Sequence, residues 1–203
     1  MVAMLYWFLW IYLATLTSAY PGGAPDGSCG HMTPAHGSPA SNLDQSPFYL
    51  NVSATSYLPG EKIIVTVLSS GANFKGMFLQ ARGEDSPNNA IGWWEKPNGT
   101  SFKQMECAGN KNSALTHSDG MSKAAPSRFV WIAPCNSTTD YRFYATIVQE
   151  YATFYVKIPS DTVVRGNGEK VCKPPGSGGT GVSLPPLSMT LFVAIVHAVA
   201  LLR

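Results

Sequence analysis

The ten residues RFYATIVQEY, from Arg142 to Tyr151, carry the clearest fold signal in the chain. Aromatic and β-branched residues dominate this stretch, and such residues favour strands. Side chains on a strand point alternately to its two sides, so the stretch predicts two distinct faces. One face would carry Phe143, Ala145, Ile147 and Gln149, and the other Tyr144, Thr146, Val148 and Glu150. The next stretch, ATFYVKIP at 152–159, has the same composition and predicts a second strand.

Seven further stretches between residues 48 and 134 have the length and composition of short strands. The most β-branched of them, KIIVTVLSS at 62–70, follows a Pro59-Gly60 turn. The turn Pro97-Asn98-Gly99 separates AIGWWEK and SFKQMEC and predicts a hairpin between them. SALTHS predicts a short strand or turn. The remaining stretches are FYLNVSAT at 48–55, GMFLQAR at 76–82 and RFVWIAP at 128–134.

Between the two ends of the chain, no stretch has the length and period of an amphipathic helix. The strands and turns together predict an all-β fold, an antiparallel β-sandwich of about seven to nine strands. A barrel built from the same strands is the alternative. Trp131 lies in the middle of a strand, and we expect it to fill the core between the sheets.

Both ends are apolar and indicate processing signals. Residues 1–19 carry no charge and end in small residues, which predicts a secretory signal peptide, with an uncleaved anchor as the alternative. Residues 187–203 form a hydrophobic tail that is short for a membrane span. The Gly/Ser/Pro-rich linker 176–186 places Ser177 and Gly178 where a glycosylphosphatidylinositol anchor would attach. A short single-pass helix is the alternative for the tail, and residues 20–175 remain as one domain.

The charge balance restricts the class of partner. The chain has 14 basic and 12 acidic residues, and removal of Arg203 with the tail leaves the domain close to neutral. Because nucleic acid requires a basic stripe, which this sequence lacks, it is excluded as a partner. The expected partner is an extracellular glycan, lipid or protein, and the membrane would be reached only through the tail.

All four cysteines, Cys29, Cys107, Cys135 and Cys172, lie in the predicted domain. An even number of cysteines in a secreted chain predicts disulfides, and four cysteines allow three connectivities. None of them belongs to a CxxC pair, which argues against a zinc knuckle or a thioredoxin-like site. Three N-x-[ST] sequons predict N-glycosylation, at Asn51, Asn98 and Asn136.

Trp93, Trp94 and Tyr57 are candidate exposed aromatics for ligand binding. Adjacent residues of a strand face opposite ways, so one tryptophan is expected to point inward and the other outward. An outward tryptophan could stack on a sugar or anchor a protein partner. The alternative is that both tryptophans are buried.

Three histidines, His31, His36 and His117, could converge on copper or zinc if Cys29 were tied near Cys107. Formation of a disulfide would remove the thiolate ligand, and histidines in small domains more often hydrogen-bond loops. The sequence contains no G-x-S-x-G, HExxH, P-loop or Rossmann fingerprint. We therefore expect neither enzymatic activity nor a cofactor.

An ordered set of motifs resembles the reeler domain, the module found at the amino terminus of reelin. The same module occurs in ferric-chelate-reductase-like membrane proteins and, alone, in secreted insect defence proteins. The matching motifs run through most of the predicted domain: Tyr20-Pro21, Cys29, His31–Pro34, His36-Gly37, Pro59-Gly60, Phe74–Gly76, Phe78–Arg82, Cys107, Ala114–Ser118, Trp131–Pro134 and Ala145–Gln149.

This resemblance implies an immunoglobulin-like sandwich with a Cys29–Cys107 disulfide and, as in some members, a second bridge at the position of Cys135 and Cys172. It does not carry over reductase chemistry, which in those relatives belongs to a haem-binding membrane module. The expected function is that of a non-catalytic binding module, secreted or on the extracellular face of the plasma membrane. Innate recognition of microbial surface glycans or lipids is the first hypothesis. An adhesion or matrix module that binds host protein or glycosaminoglycan is the second, and a metal-binding or redox accessory protein is the third.

Overall fold

The computed structural model describes residues 20–169 and 171–172. The predicted signal peptide, the linker with its anchor site and the hydrophobic tail lie outside these residues. Within them, no helix has the length and apolar character needed to cross a bilayer. The described chain contains two short 3-10 turns, Asp26–Ser28 and Leu43–Gln45, and ten strands.

The ten strands form two sheets. The first has four strands in the order β1 (Phe48–Val52), β3 (Lys62–Ser69), β8 (Ser127–Ile132) and β5 (Trp93–Trp94). The second has six strands in the order β2 (Ser56–Tyr57), β10 (Thr153–Arg165), β9 (Tyr141–Glu150), β4 (Gly76–Gly83), β7 (Asn110–His117) and β6 (Phe102–Cys107). The predicted β-sandwich is confirmed, and the barrel alternative is wrong because the strands separate into two sheets.

The predicted alternation along β9 places its apolar side chains in the core. Phe143, Ala145 and Ile147 are buried between the sheets. Trp131 of β8 lies at the centre of this core, as predicted, with no exposed surface. Its ring meets Phe143 edge-on at 5.2 Å between centroids, a favoured geometry for aromatic pairs.

The predicted hairpin at Pro97-Asn98-Gly99 is wrong. Strand β5 pairs with β8 in the four-stranded sheet, whereas β6 pairs with β7 in the six-stranded sheet. The turn therefore carries the chain from one sheet to the other. The physical reason is the Trp94 side chain, which points into the sandwich and donates from Nε1 to the carbonyl of Ser113 at 3.0 Å.

Two other strands are longer than predicted, and the two-residue strand β2 was not predicted. Strand β7 has eight residues, because it begins at Asn110, which pairs with Cys107 across the turn from β6. Leu115 packs into the main core, and Ala114 lies beneath the N-terminal segment on the opposite face. Strand β10 continues past Pro159, which is tolerated because register shifts on either side of it mark irregular pairing.

Candidate functional site

Residues 20–36, hereafter the arm, cross the outer face of the six-stranded sheet. A disulfide between Cys29 and Cys107 joins the arm to the end of β6, with 5.5 Å between the two Cα atoms. This is the pair that the family resemblance implies. The bond closes a loop with a sequence separation of 78 residues, so it restricts the unfolded chain strongly.

Side chains of the sheet hold the arm along its length. Met32 is 1% exposed and packs against Phe78 in an apolar cluster separate from the main core. The Thr146 hydroxyl donates to the carbonyl of Met32 at 2.8 Å. The Thr116 hydroxyl accepts from the backbone N–H of Ala24 at 2.8 Å. Both threonines belong to the outward face of their strands. The arm buries this part of the outer face and forms a second, smaller core with it.

The strongest polar contact with the arm comes from Arg82 of β4, which is 2% exposed. Its Nη2 donates to the carbonyls of Cys29 at 2.8 Å and Gly30 at 2.9 Å, and its Nη1 donates to the carbonyl of Pro87 at 2.7 Å. Gln80 completes the arrangement, since its Oε1 accepts from Nε of Arg82 at 3.0 Å. Burial lowers the pKa of Arg82, but a guanidinium stays protonated under ordinary conditions. The arm is therefore held by a buried cation whose acceptors are neutral.

Between the arm and the sheet lies an open groove with a volume of about 240 Å³. Its surface is mostly apolar. Gly76 of β4 keeps it open, because a Cβ at that position would come within 3.2 Å of Val148 and 3.3 Å of the His117 ring. The walls include Met32, Pro34, Ala35, Met77, Phe78 and Val148.

Charged and aromatic side chains line part of the groove. Lys75 and Glu150 form an exposed ion pair with 2.6 Å between Nζ and Oε2. His36 stacks on Tyr151 with 4.7 Å between ring centroids, and its Nδ1 donates to the Tyr151 carbonyl at 2.7 Å. The groove therefore offers an apolar interior together with a pair of opposite charges.

His117 lines the groove and contacts the first described residue of the arm. Its Nε2 donates to the carbonyl of Tyr20 at 3.1 Å, and Nδ1 then accepts from the N–H of Met77 at 3.3 Å. Burial is the largest effect on this side chain and lowers its pKa. Lys123 also lowers the pKa of His117, while the carbonyls of Tyr20 and Met77, the latter 3.2 Å from Nδ1, and Asp119 oppose the shift. The neutral imidazole is thus the favoured form in the folded protein.

The three histidines do not form a metal site. Among residues 20–169 and 171–172, no group of three His, Cys, Asp or Glu side chains is arranged to hold a metal ion. His36 and His117 line the groove, but His31 does not, and its Nδ1 accepts from the backbone N–H of Thr33 at 2.9 Å. The convergence of His31, His36 and His117, which the sequence offers only as the weaker alternative, is not seen, because each of these rings bonds to backbone instead.

Two of the three candidate aromatics are buried. Tyr57 is 1% exposed and its hydroxyl bonds Ser137, so its assignment as an exposed aromatic is wrong. Trp94 is fully buried, whereas Trp93 is 48% exposed on the outer face of the four-stranded sheet. The expectation that the two tryptophans face opposite ways is confirmed. Only Trp93 of these three can meet a ligand without rearrangement of the core.

The remaining predicted residues lie at the surface of the sandwich. The sequon asparagines Asn51, Asn98 and Asn136 are all exposed, on β1 and in the turns that follow β5 and β8. A second disulfide joins Cys135 to Cys172 with 5.7 Å between Cα atoms, which is the other pair that the resemblance implies. It ties the chain beyond β10 to the turn after β8.

Sequence reasoning did not find the groove. Gln80, Arg82, Thr116 and Thr146 are all buried beneath the arm, and none of them is among the candidate site residues of the sequence. One signal was available. The stretch GMFLQARG places polar residues only at Gln80 and Arg82 within an otherwise apolar or small run, which indicates a strand covered on both faces.

The family model for the Reeler domain matches residues 27–171 of this chain. A protein of Antheraea mylitta named as a defense protein is 36% identical over 150 residues, which cover 73% of this chain and 88% of that protein. Ferric-chelate reductase 1 of Mus musculus is 33% identical over 170 residues, which cover 81% of this chain but 28% of that protein. A similar protein of Xenopus laevis is matched over 30% of its length. The chain therefore corresponds to less than a third of these longer relatives.

A crystal structure of a human F-spondin reeler domain has the same fold. The superposition gives a TM-score of 0.53 at 21% sequence identity, and it covers 68% of this chain and 99% of that one. At this identity the likeness concerns the fold. It agrees with the two-sheet sandwich described above.

Proposed function

The chain belongs to the Reeler domain family, and on that premise we propose that it is an extracellular, non-catalytic module that binds the apolar part of an amphipathic ligand in the groove. The observation that carries the proposal is the groove itself. It is open, mostly apolar and flanked by the Lys75–Glu150 ion pair. Pockets of this character, with few polar groups at defined places, are typical of small-molecule sites.

The size of the groove suits a short stretch of acyl chain. A methylene takes roughly the volume of one liquid water, about 30 Å³, so about eight methylenes would fill 240 Å³. At about 0.8 kcal/mol for each buried methylene, the transfer contributes about 6 kcal/mol before the costs of association. Association costs at least about 4 kcal/mol, so a single chain alone is expected to bind no more tightly than tens of millimolar, and contacts of the polar head would have to supply the rest.

We propose that the natural ligand is an acylated glycolipid of a microbial surface. The support is the likeness to a protein named for defense, whose length is covered almost fully. The reductase names belong to much longer proteins, and this chain matches only a minor part of them. In the groove, the acyl chain would lie against Phe78 and Val148, and a polar head would face Lys75 and Glu150.

Equilibrium binding to vesicles tests this function. The full-length protein is held in phosphatidylcholine nanodiscs, which occupy its hydrophobic tail or anchor, and is mixed without free detergent with vesicles that contain a bacterial acylated glycolipid, with the same glycan after deacylation, and with phosphatidylcholine vesicles. We expect binding to the acylated glycolipid alone. Equal binding to the deacylated glycan would contradict the proposed use of the groove, and binding only to matrix protein or glycosaminoglycan would favour an adhesion role.

A variant that fills the groove gives a matched comparison. Ala35 is exposed on the arm and lines the groove, so Ala35→Trp places a large ring there with little effect on folding. Ala40 is also exposed but lies outside the groove, and Ala40→Trp is the control. We expect Ala35→Trp to weaken glycolipid binding at least tenfold while Ala40→Trp leaves it unchanged. Equal affinities for the two variants would place the ligand elsewhere.

We also propose that the protein is held at the cell surface by a lipid anchor attached near Ser177 or Gly178. The support is the order of small residues, spacer and hydrophobic tail in the sequence. Treatment of intact expressing cells with a phosphatidylinositol-specific phospholipase is expected to release the protein. Retention on the cells until detergent is added would instead indicate a membrane-spanning tail.

A further inference from the structure

The outer face of the four-stranded sheet carries apolar side chains between polar ones. Strands β3 and β8 present Ile64, Leu68, Val130 and Ile132 outward, and all four are only half-buried. Their inward neighbours, such as Val65 and Val67, fill the core. Lys62, Thr66 and Arg128 share this face, and the Thr66–Arg128 pair separates Leu68 from Ile64 and Val130, so the apolar side chains form two small rows.

Strand β1 forms one edge of this sheet and presents a different pair of side chains on the same face. Tyr49 is 51% exposed and Asn51 is also exposed, while the alternate residues of β1 pack against the core. The two positions are two residues apart on one strand, which separates them by about 6.6 Å. Asn51 begins the sequon completed by Ser53, so an attached glycan would start beside the Tyr49 ring.

The register of the strands places Asn51 between two apolar rows. Asn51 pairs with Thr66, and Tyr49 pairs with Leu68 in the row on one side. On the other side, Ile64 pairs with Val130.

We propose that Asn51 carries an N-linked glycan that lies on this face, with its first N-acetylglucosamine packed against the ring of Tyr49. The carbon-bound hydrogens on one side of such a sugar form an apolar surface that suits an exposed aromatic ring. The glycan then covers the apolar rows beside Asn51. It also shields the free edge of β1, since an exposed edge strand is otherwise a template for pairing with another chain.

The structure favours a glycan of this chain over a separate protein as the occupant. The acceptor asparagine lies within the face, where a bulky branched sugar would obstruct a flat protein partner. The two disulfides require an oxidising compartment, in which sequons are also glycosylated. Because the groove lies on the other sheet, this proposal does not depend on the proposed ligand.

The test uses protein secreted from eukaryotic cells with the tail removed after residue 175, provided that this shortened wild-type chain folds. If it does not fold, full-length protein extracted with detergent is used instead. Glycopeptide mass spectrometry is expected to find Asn51 occupied. Urea unfolding is then compared before and after enzymatic removal of glycans, for the wild type, for Tyr49→Ala and for Asn51→Gln. Asn98→Gln is the control, because it removes a sequon from a turn outside this face.

Removal of the glycan is expected to raise the unfolding equilibrium constant of the wild type by roughly fivefold more than that of Tyr49→Ala, the effect of one aromatic contact. The treated protein and Asn51→Gln are expected to bind an apolar dye more strongly, whereas Asn98→Gln is not. An unoccupied Asn51 would overturn the proposal. This outcome includes the case in which a second copy of the chain, rather than a glycan, covers the face. Equal effects of glycan removal in the wild type and in Tyr49→Ala would overturn the stacking.

Discussion

Replacement of Arg82 by methionine removes the cation that fixes the arm to the sheet. Three acceptors, the carbonyls of Gly30 and Pro87 and Oε1 of Gln80, lose the guanidinium N–H groups that they accept from. The carbonyl of Cys29 keeps a donor, because Nε2 of Gln80 lies 3.1 Å away. A buried acceptor left without a partner costs about 1–3 kcal/mol. Relief of the desolvated charge offsets part of this cost, so we expect Arg82→Met to lower the free energy of unfolding by about 3 kcal/mol.

Arg142 provides a closely matched control. It lies opposite Arg82 in the register of β4 and β9. Either replacement therefore removes one positive charge from the same neighbouring pair. Arg142 is only half-buried, and its Nε and Nη2 both donate to the hydroxyl of Thr162. The change Arg142→Met is therefore expected to cost about 1 kcal/mol or less.

Urea unfolding followed by tryptophan fluorescence measures both variants, and equal m-values would show that the same surface is exposed in each case. Limited proteolysis under non-reducing conditions then locates the damage. We expect faster cleavage within the arm of Arg82→Met and unchanged cleavage of Arg142→Met. If the two variants lie within about 1 kcal/mol of each other, the hydrogen bonds of Arg82 are not what holds the arm.

Three further predictions concern other parts of the fold. Trp94→Ala should lower the free energy of unfolding by about 4 kcal/mol, whereas Trp93→Ala should change it by less than about 1 kcal/mol. If urea unfolding gives similar losses for the two variants, the two tryptophans do not differ in burial as described. Removal of the Cys29–Cys107 disulfide by paired serine substitutions should cost about 4.5 kcal/mol from its loop length, and a smaller loss than for the second disulfide would refute the loop argument. Because burial lowers the pKa of folded His117, the unfolded protein binds a proton first, so stability should fall as the pH drops below about 6.5. His117→Gln should flatten that part of the stability profile, and an unchanged slope would assign it to other groups.

The local alternation of the sequence was enough to predict the sandwich. The inward residues of β9 and the central position of Trp131 follow from a period of two, which depends only on neighbouring residues. The hairpin between β5 and β6 failed for the opposite reason. A turn at Pro97–Gly99 is visible locally, but the sheet that each flanking strand joins depends on Trp94, whose partner Ser113 lies 19 residues away.

Tyr57 shows the same limit at a single residue. Strand β2 has only two residues, and it pairs in parallel with the far end of β10. The Tyr57 hydroxyl also donates to the carbonyl of Thr139 at 2.5 Å, across 82 residues of sequence. No pattern near residue 57 contains this information, so the sequence alone does not predict that Tyr57 is buried.

The groove exists only while the arm is docked on the sheet, because the arm forms one wall of the groove and is not part of the sandwich. A ligand that requires the docked arm binds with an apparent affinity reduced by the fraction of molecules in which the arm is docked. A loss of about 3 kcal/mol in docking free energy affects ligand binding only if the docked arm is not favoured over the undocked arm by much more than about 3 kcal/mol. Arg82→Met therefore separates two cases. If glycolipid binding weakens together with proteolytic opening of the arm, the arm is a wall of the site; if the arm opens and binding is retained, the ligand lies on the sheet alone.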